Sequence, residues 1–226
     1  MIADDIHASR ETLYSEKTAG YFSGARRDMV ALLSTGPGAR ILEIGCGDGA
    51  TGAVALAAGK ADHYLGIELM PEVAEQARAR LSEVITADVE KLELTQFYGK
   101  FDALIMSEVI EHLVDPWDTL MRLLACVKPG GEIVASSPNI AHRRVIGDLI
   151  AGRFEYADEG VMDRTHLRWF TPRSYRALFE GAGCIDVRVM PIRRPGLLPR
   201  IVNRLTRNRY AHLSMTQIMV HARKAT

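Results

Sequence analysis

The stretch Leu42–Gly49, which reads LEIGCGDG, decides the fold of this chain. It continues a short apolar run that begins at Arg40 and then becomes a loop with glycine at every second position, at Gly45, Gly47 and Gly49. Glycines let a backbone turn sharply and approach a ligand closely, and such loops occur where a buried strand passes into a helix at the switch point of an open sheet. The stretch therefore predicts a ligand pocket at the end of the first strand.

Outward from this loop, apolar runs and helical segments alternate along the chain. The predicted strands are Arg40–Ile44, His63–Glu68, Glu83–Thr86, Phe101–Met106, Glu132–Ser136, Cys184–Ile192 and Met215–Ala222. The predicted helices are Thr51–Ala58, Pro71–Arg80, Pro116–Val127 and Pro172–Gly181. Strands separated by helices favour right-handed crossovers between parallel strands. We therefore predict an α/β fold with a doubly wound, mostly parallel seven-stranded sheet and an antiparallel edge strand.

The chain reads as a single domain over residues 1–226, because it contains no repeat, no low-complexity tract and no linker rich in Pro or Gly. Three segments stand apart from the strand–helix alternation. We expect a helical cap over residues 1–35, a lid over the substrate site over residues 139–170, and a basic amphipathic insertion over residues 193–214.

Charge is balanced overall, with 28 Lys and Arg against 28 Asp and Glu, but it is unevenly distributed. The segment Arg188–Thr226 contains eight Arg and one Lys and no acidic residue. One basic end on an otherwise acidic chain indicates a local anionic contact and argues against general binding to nucleic acid. Cys46, Cys126 and Cys184, together with an acidic start that lacks a signal-peptide pattern, lead us to expect a cytoplasmic protein with reduced thiols.

Glu68 ends the second predicted strand, where an acid accepts hydrogen bonds from ribose hydroxyls. By itself this feature fits any cofactor that contains ribose. A dinucleotide loop, G-x-G-x-x-G, aims a helix N-terminus at a pyrophosphate, which the carboxylate of Asp48 would repel. The same carboxylate would attract a sulfonium and an ammonium group, so the spacing favours a positively charged cofactor.

This pattern resembles motif I of the class I S-adenosylmethionine (AdoMet) methyltransferases, and the resemblance extends over roughly residues 21–183. It implies AdoMet as the cofactor, with Glu68 on both ribose hydroxyls, Asp88 on the adenine amino group and Ser107 at the methionine end. The full set of expected cofactor residues is Tyr21, Glu43, Gly45, Cys46, Gly47, Asp48, Glu68, Leu69, Asp88, Val89 and Ser107. Leu69 has plain core packing as its alternative role.

A second set of residues, Glu108, Glu111 and His112, follows the fourth strand. On a helical turn they would share one face. We expect His166, far along the chain, to join them, because the loop after the fifth strand folds over the site in this fold. Two carboxylates and imidazoles beside a methyl donor form either a general-base cluster or a metal site. The alternative is that Glu111 caps or pairs locally and His112 only supports its neighbours.

The Glu-x-x-Glu-His pattern with a later His resembles two methyltransferase branches, the small-RNA 2′-O-methyltransferases and the ubiquinone-pathway O-methyltransferases. Both methylate one of two adjacent hydroxyls. The resemblance implies catalytic roles for Glu111, His112 and His166. It also implies a divalent metal such as Mg or Mn, held by Glu108, Glu111, His112 and His166.

The predicted lid combines arginines with aromatic residues, a mixture that suits a phosphorylated or sugar-like ligand. The alternative is a solvated lid held by its own ion pairs. The stretch GRFEYADEGVMDRTHLRWFT, residues 152–171, resembles bacterial methyltransferases found with glycan and O-antigen genes. These resemblances imply methyl transfer from AdoMet to a hydroxyl of a sugar or glycosylated small molecule. The alternatives are 2′-O-methylation of RNA 3′ ends and a non-catalytic AdoMet-binding module.

In the basic insertion, Leu197, Ile201 and Leu205 recur every four residues, while Arg200 and Arg204 lie on another face. The pattern predicts a short basic amphipathic helix. It would either lie on anionic lipid headgroups near a lipid-linked acceptor, or pack its apolar side on its own domain or on a second subunit of a homodimer.

Overall fold

The computed structural model describes Tyr14, Lys17, residues 23–194 and residues 196–226. The predicted cofactor residue Tyr21 and most of the predicted cap over residues 1–35 lie outside the described residues. Within the described part, every helix is too short or too polar to cross a bilayer.

Strands of the described residues form one seven-stranded sheet in the order β3-β2-β1-β4-β5-β7-β6. The strands are β1 Arg40–Ile44, β2 His63–Glu68, β3 Glu83–Thr86, β4 Phe101–Ser107, β5 Val127–Pro138, β6 Cys184–Pro191 and β7 Gln217–Lys224. The pairs among β1 to β5 are parallel, whereas β7 runs antiparallel to both β5 and β6. The predicted fold class is therefore confirmed, with the antiparallel β6–β7 pair at one edge.

The helices lie between the strands, as predicted. They are α1 Arg27–Val30, α2 Ala50–Ala57, α3 Pro71–Arg78, α4 Pro116–Cys126, α5 Arg143–Ile150, α6 Pro172–Gly181 and α7 Leu197–Leu205, with short 3-10 turns at Thr95–Phe97, Ile110–His112 and Ala211–Ser214. Proline stands in the first turn of α3, α4 and α6, where its missing N–H has no helical partner to lose. Asp115 also caps α4, because its carboxylate accepts hydrogen bonds from the N–H groups of Trp117 and Asp118.

The core lies on both faces of the sheet, which explains why the strand sequences are continuous apolar runs. Leu42 and Leu104 belong to the hydrophobic cluster on one face, and Ile41 and Ala103 to the cluster on the other. Because Ile41 pairs with Ala103 and Leu42 with Leu104, β1 and β4 end side by side. Residues that follow these strands are thus brought to one edge of the sheet.

Strands β4 to β7 differ from their predicted bounds, and the largest difference is at the start of β5. Strand β5 begins at Val127, directly after α4, and not at Glu132. Phe101 pairs with Val127, and the register then shifts before Ala103 pairs with Glu132. This irregularity allows Gly130 and Gly131 to take part in the sheet.

Two helical glycines offer a matched test of packing. A Cβ at Gly52 in α2 would lie 2.4 Å from Leu81 Cδ2 and 2.6 Å from Tyr64 Cε1, whereas a Cβ at Gly147 in α5 would meet nothing within 4 Å. We expect Gly52→Ala to lower the free energy of unfolding by about 1–3 kcal/mol through overpacking. We expect Gly147→Ala to raise it by up to about 1 kcal/mol, since alanine is the better helix former. Urea denaturation of both variants measures the difference, and equal effects would contradict the close packing of α2 on β2.

Candidate active site

A cavity of about 920 Å³ lies at the carboxyl ends of β1, β2 and β4. In open α/β sheets, ligands bind at this edge. The cavity is lined by every predicted cofactor residue that the structure describes, namely Glu43, Gly45, Cys46, Gly47, Asp48, Glu68, Leu69, Asp88, Val89 and Ser107. The structure thus brings together residues from the ends of four consecutive strands.

The glycine loop is wound through backbone conformations that side chains resist. Gly45, Gly47 and Gly49 have φ values of 66°, 54° and 81°. A Cβ at Gly45 would also lie only 2.7 Å from Val109 Cγ2. The loop therefore needs glycine at Gly45 both for its conformation and for the close approach of the segment after β4.

Glu68 connects the end of β2 to this loop. Its Oε2 accepts a hydrogen bond from the Gly47 N–H at 2.9 Å, and its Oε1 accepts one from the Met70 N–H at 3.0 Å. The side chain is 6% exposed, and burial raises the pKa of the carboxyl while these N–H groups oppose the shift. The predicted ribose-binding acid is thus held in a fixed position at the cavity wall.

Asp48 also lines the cavity, but its charge is balanced by a neighbour. Its Oδ2 lies 2.6 Å from Nη1 of Arg80, and its Oδ1 accepts a hydrogen bond from the Ala50 N–H at the start of α2. The carboxylate thus binds one backbone N–H and an arginine, so the role predicted from its charge, attraction of a sulfonium, is weakened by Arg80.

Glu43 lies in β1, just before the glycine loop, and lines the cavity. Its Oε2 accepts a hydrogen bond from the Tyr64 hydroxyl at 2.8 Å, and complete burial raises the pKa of the carboxyl to about 8. The neighbouring charge of Glu68 adds to this shift. At neutral pH Glu43 is therefore mostly protonated, which suits a structural group beneath the cofactor site.

Arg26 is a cavity residue that the sequence reasoning missed. It forms a two-pronged ion pair with Asp28, at 2.9 Å for each N–O contact, and its Nη1 also donates to the hydroxyls of Ser107 and Ser136. Asp28 occupies the Nε and Nη2 arms of this fork, so Nη1 is the arm that lies beside the predicted methionine end and suits a carboxylate there. The sequence signal was only a basic residue just before a short helix.

The second cluster forms around the 3-10 turn Ile110–His112. Candidate ligand atoms of Glu111, His112 and His166 all lie within 4.8 Å of one another, and the three side chains are buried. The rings of His112 and His166 are 4.7 Å apart between centroids. The carbonyl of Glu111 accepts hydrogen bonds from Leu167 and Arg168, so the lid is tied directly to this turn.

Both imidazoles are oriented by backbone carbonyls. Nδ1 of His112 lies 3.1 Å from the Thr165 carbonyl oxygen, and Nδ1 of His166 lies 3.1 Å from that of Val161. A carbonyl can only accept, so each Nδ1 carries the proton and the lone pair of a neutral ring lies on Nε2. Burial lowers the pKa of His166, which favours this neutral form. A carbonyl bound to the far nitrogen is the usual support for a metal-binding or basic histidine.

Glu111 carries the strongest signal in the cluster. It is 1% exposed, and among the described residues neither of its carboxylate oxygens has a hydrogen-bond partner. Desolvation, and next the charge of Glu108, raise the pKa of Glu111 well above its usual range. Hydrogen bonding from Ser137 opposes this shift, so the alternative that Glu111 pairs locally stays open. A buried carboxylate in this state calls for a proton or a cation.

The donor set fits a divalent metal ion. One carboxylate and two Nε2 lone pairs are ligands that Mn²⁺ and related ions accept, and both histidines have their supporting carbonyls.

Glu108 is placed differently from its prediction. It has a left-handed φ of 54° and precedes the 3-10 turn, so it does not share a helical face with Glu111 and His112. Its Oε1 accepts a hydrogen bond from the Ser136 hydroxyl at 2.6 Å, and its Oε2 accepts one from Gln217 at 3.2 Å. The structure therefore does not bring Glu108 into the three-residue cluster, and its carboxylate turns toward Arg26, 4.0 Å away.

The predicted lid contributes residues to the cavity lining, but its arginines are not among them. Glu159, Gly160, Val161, Asp163 and His166 line the cavity. Three of the lid arginines bind elsewhere: Arg153 pairs with Asp148, Arg164 with Asp158, and Arg168 donates to the carbonyls of Leu167 and Val114. For these arginines, the alternative of a lid held by its own contacts describes the structure better than a grip on the substrate.

Asp163 is a second residue whose role sequence reasoning missed. Its side chain is buried. The two carboxylate oxygens accept hydrogen bonds from Lys17 Nζ at 2.8 and 2.7 Å, and Oδ1 also accepts them from the N–H and the hydroxyl of Thr165. Although burial raises its pKa most strongly, the hydrogen bonds from Lys17 and Thr165 outweigh it and leave the pKa below the usual range. Asp163 thus fixes the loop that carries His166, with a cation supplied from the start of the chain.

The strand order, the glycine loop after β1 and the acid at the end of β2 define a class I AdoMet-dependent methyltransferase. A family model described as a methyltransferase domain matches residues 19–189, and the chain belongs to this family. AdoMet is the methyl donor of this family.

Relatives of several activities share parts of the sequence. A ubiquinone biosynthesis O-methyltransferase of Xanthomonas campestris is 34% identical over 120 residues, which cover 50% of this chain and 49% of that protein. A trans-aconitate 2-methyltransferase of Deinococcus radiodurans is 26% identical over 78% of this chain and 70% of its own length. The chain spans between 33% and 49% of the first curated relatives that it matches.

A solved structure confirms the fold. An AdoMet-dependent methyltransferase from Archaeoglobus fulgidus superposes with a TM-score of 0.64 at 19% identity, covering 88% of this chain and 90% of that one.

Proposed function

We propose that this protein transfers the methyl group of AdoMet to a hydroxyl that has a second hydroxyl beside it, on a sugar or glycosylated small molecule. The observation that carries the proposal is the buried, unpartnered carboxylate of Glu111 next to the two oriented imidazoles of His112 and His166. A pure AdoMet-binding module has no need for such a cluster. The three buried free cysteines fit the reducing cytoplasm, the compartment that we propose.

The cofactor is held by residues at the strand ends. Glu68 accepts hydrogen bonds from the ribose hydroxyls, Asp88 contacts the adenine amino group, and Arg26 binds the amino-acid carboxylate beside Ser107. These side chains come from strand ends and the segments beside them, so the fold brings them together around the donor. Positioning of the two reactants supplies most of the rate.

The acceptor hydroxyl lies on the side of His112 and His166. Its oxygen attacks the methyl carbon in line with the sulfur, the carbon–sulfur bond breaks, and its electron pair remains on sulfur as a neutral thioether. Without a bound ion, the hydroxyl proton goes to Nε2 of His112, whose lone pair is set by the Nδ1 contact with Thr165, and the imidazolium later loses it to water. With an ion on that nitrogen, the proton would leave to water directly. In both cases the products are a methyl ether, S-adenosylhomocysteine and a released proton.

Glu111, His112 and His166 would hold a divalent ion such as Mg²⁺ or Mn²⁺. When bound, such an ion lowers the pKa of a coordinated hydroxyl and so favours its deprotonation. Two adjacent hydroxyls suit this cluster because both oxygens can approach it together.

The preference for oxygen is supported by the names of the ubiquinone biosynthesis relatives. The preference for a sugar rests on the resemblance that the sequence of residues 152–171 suggested and stays an expectation. Methylation of RNA 3′ ends stays an alternative with the same hydroxyl chemistry. The excess of acid in the body of the chain argues against it, because nucleic-acid affinity rests largely on basic residues.

Metal depletion tests the proposal. We expect removal of divalent ions with a chelator to lower methyl transfer by about 10²-fold or more, and Mn²⁺ or Mg²⁺ to restore it. AdoMet affinity, measured by calorimetry on the same samples, should not change, because the cofactor residues are separate from the cluster. A direct Mn²⁺ titration should show binding to the wild type and none to Glu111→Gln. An unchanged rate after depletion would refute the metal and leave His112 as the base.

A further inference from the structure

Helix α7 presents its apolar side to solvent. Leu198 and Leu205 are 71% and 78% exposed, and the whole apolar face is exposed: Leu197, Leu198, Ile201, Val202 and Leu205. The half-buried residues of this segment are instead Pro199, Asn203 and Thr206. The expectation that the helix packs its apolar side on its own domain is therefore wrong.

The polar side of α7 faces the protein through weak contacts. Asn203 Nδ2 donates to the Ser214 hydroxyl at 3.4 Å, within the 3-10 turn that follows α7. A helix that served only its own fold would bury its leucines, since each stabilises by about 1.5–3 kcal/mol when removed from water. The reversed orientation indicates that another apolar phase receives this face.

Positive charge surrounds the exposed apolar face. Arg200 and Arg204 lie on one flank of α7 and are exposed. The segments on either side add Arg193, Arg194, Arg207 and Arg209, and no acidic residue occurs from Arg188 to Thr226. An apolar strip edged with arginines is complementary to a surface that is apolar inside and anionic outside.

Both ends of this segment reach the cavity. Ile192 and Arg193 line it before α7, and Thr216 and Gln217 line it afterwards. The return to the sheet is anchored by Asn139, whose Nδ2 donates to the carbonyls of His212 and Met215 at 2.8 and 2.7 Å. A surface that holds α7 would therefore lie close to the rim of the active-site cavity.

We infer that α7 docks this protein on an anionic lipid surface and so brings the cavity to an acceptor held among the headgroups. The part of the inference that concerns the acceptor rests on the proposed function, whereas the docking does not. A second copy of the chain fits less well, because a two-fold contact through α7 would oppose two arginine-rich helices. RNA as the partner would bind the arginines but would leave the exposed apolar face of α7 without a contact.

Vesicle co-sedimentation with the full chain tests the docking. We expect binding to vesicles of phosphatidylcholine with phosphatidylglycerol, and little binding to phosphatidylcholine alone. The double variant Leu198→Ser/Leu205→Ser should bind at least about tenfold more weakly through lost apolar insertion. Arg200→Gln/Arg204→Gln should weaken binding and reduce its salt dependence. Met121→Ser and Arg173→Gln, which change exposed residues on α4 and α6, are the matched controls and should bind like the wild type.

Several outcomes would overturn the inference. These are no binding to anionic vesicles, equal binding by the leucine double variant, a dimer in light scattering that only the leucine variant dissociates, or RNA binding that replaces vesicle binding. AdoMet calorimetry and thermal melting on each variant separate the two proposals. If a wild-type chain that binds AdoMet does not bind vesicles, the docking through α7 is refuted and the proposed function is not. If it binds vesicles but transfers no methyl group, only the proposed function is refuted.

Discussion

His112→Ala lowers the rate of methyl transfer by about 10²- to 10⁴-fold, the range expected for the loss of a positioned general base, and leaves AdoMet affinity unchanged. The reason is geometric. His112 belongs to the cluster with Glu111 and His166, whereas Glu68, the predicted ribose-binding residue, contacts the glycine loop and is not part of that cluster. Single-turnover rates and AdoMet calorimetry on the same preparation measure the two effects independently.

A matched control is His63→Ala, because His63 stands at the amino end of β2, the end of the strand opposite the cavity. It should keep the full rate. Glu111→Gln should also lower the rate. The double variant with His112→Ala should lose less than the two single losses combined, since the two groups act as one unit. Full activity in His112→Ala would remove the cluster from the chemistry, whatever AdoMet binding showed.

Glu68→Gln weakens AdoMet binding by about 10²-fold or more. Hydrogen bonds to a charged group contribute about 1.5–3 kcal/mol each, and the ribose offers two of them. The neutral amide also loses part of its hold on the Gly47 and Met70 N–H groups. Calorimetric titration of AdoMet and of S-adenosylhomocysteine measures the loss, which should be similar for both because both carry the ribose.

Glu75→Gln, at an exposed position on α3, removes the same charge away from the cavity and should bind AdoMet like the wild type. Equal affinity of Glu68→Gln and the wild type would mean that the acid at the end of β2 does not bind the ribose.

Much of the fold could be predicted because local signals and tertiary structure agree. Strands β1, β2 and β3 and helix α6 have the predicted bounds, since each is a short apolar run or begins at a proline. The start of β5 could not be predicted, because it depends on the pairing of Phe101 with Val127 and on the register shift behind it. Such a pairing is a property of two distant segments and leaves no mark on either one alone.

The residues that line the cavity could be predicted because parallel strands end at one edge, so the residue after each strand enters the same cavity. The exceptions are side chains whose partners come from elsewhere in the chain. Glu108 leaves its predicted cluster through a left-handed backbone, and the charge of Asp48 is balanced by Arg80. Arg26 and Lys17 enter the site from the start of the chain, where no motif marks them.

Helix α7 shows a different limit. Its amphipathic pattern was correctly predicted, but the same pattern fits a helix with its apolar face turned inward or outward. The choice depends on what Asn203 and its neighbours contact, and the structure places those residues against the protein.

The most direct test of the account is the position of the transferred methyl group. The protein is incubated with AdoMet and a panel of nucleotide sugars, glycosylated metabolites, catechols and RNA 3′ ends, and mass spectrometry with NMR locates the methyl in any product. We expect it on a sugar oxygen of a nucleotide sugar or glycosylated metabolite, with a free hydroxyl on the neighbouring carbon. A methyl group on nitrogen or carbon would contradict the account.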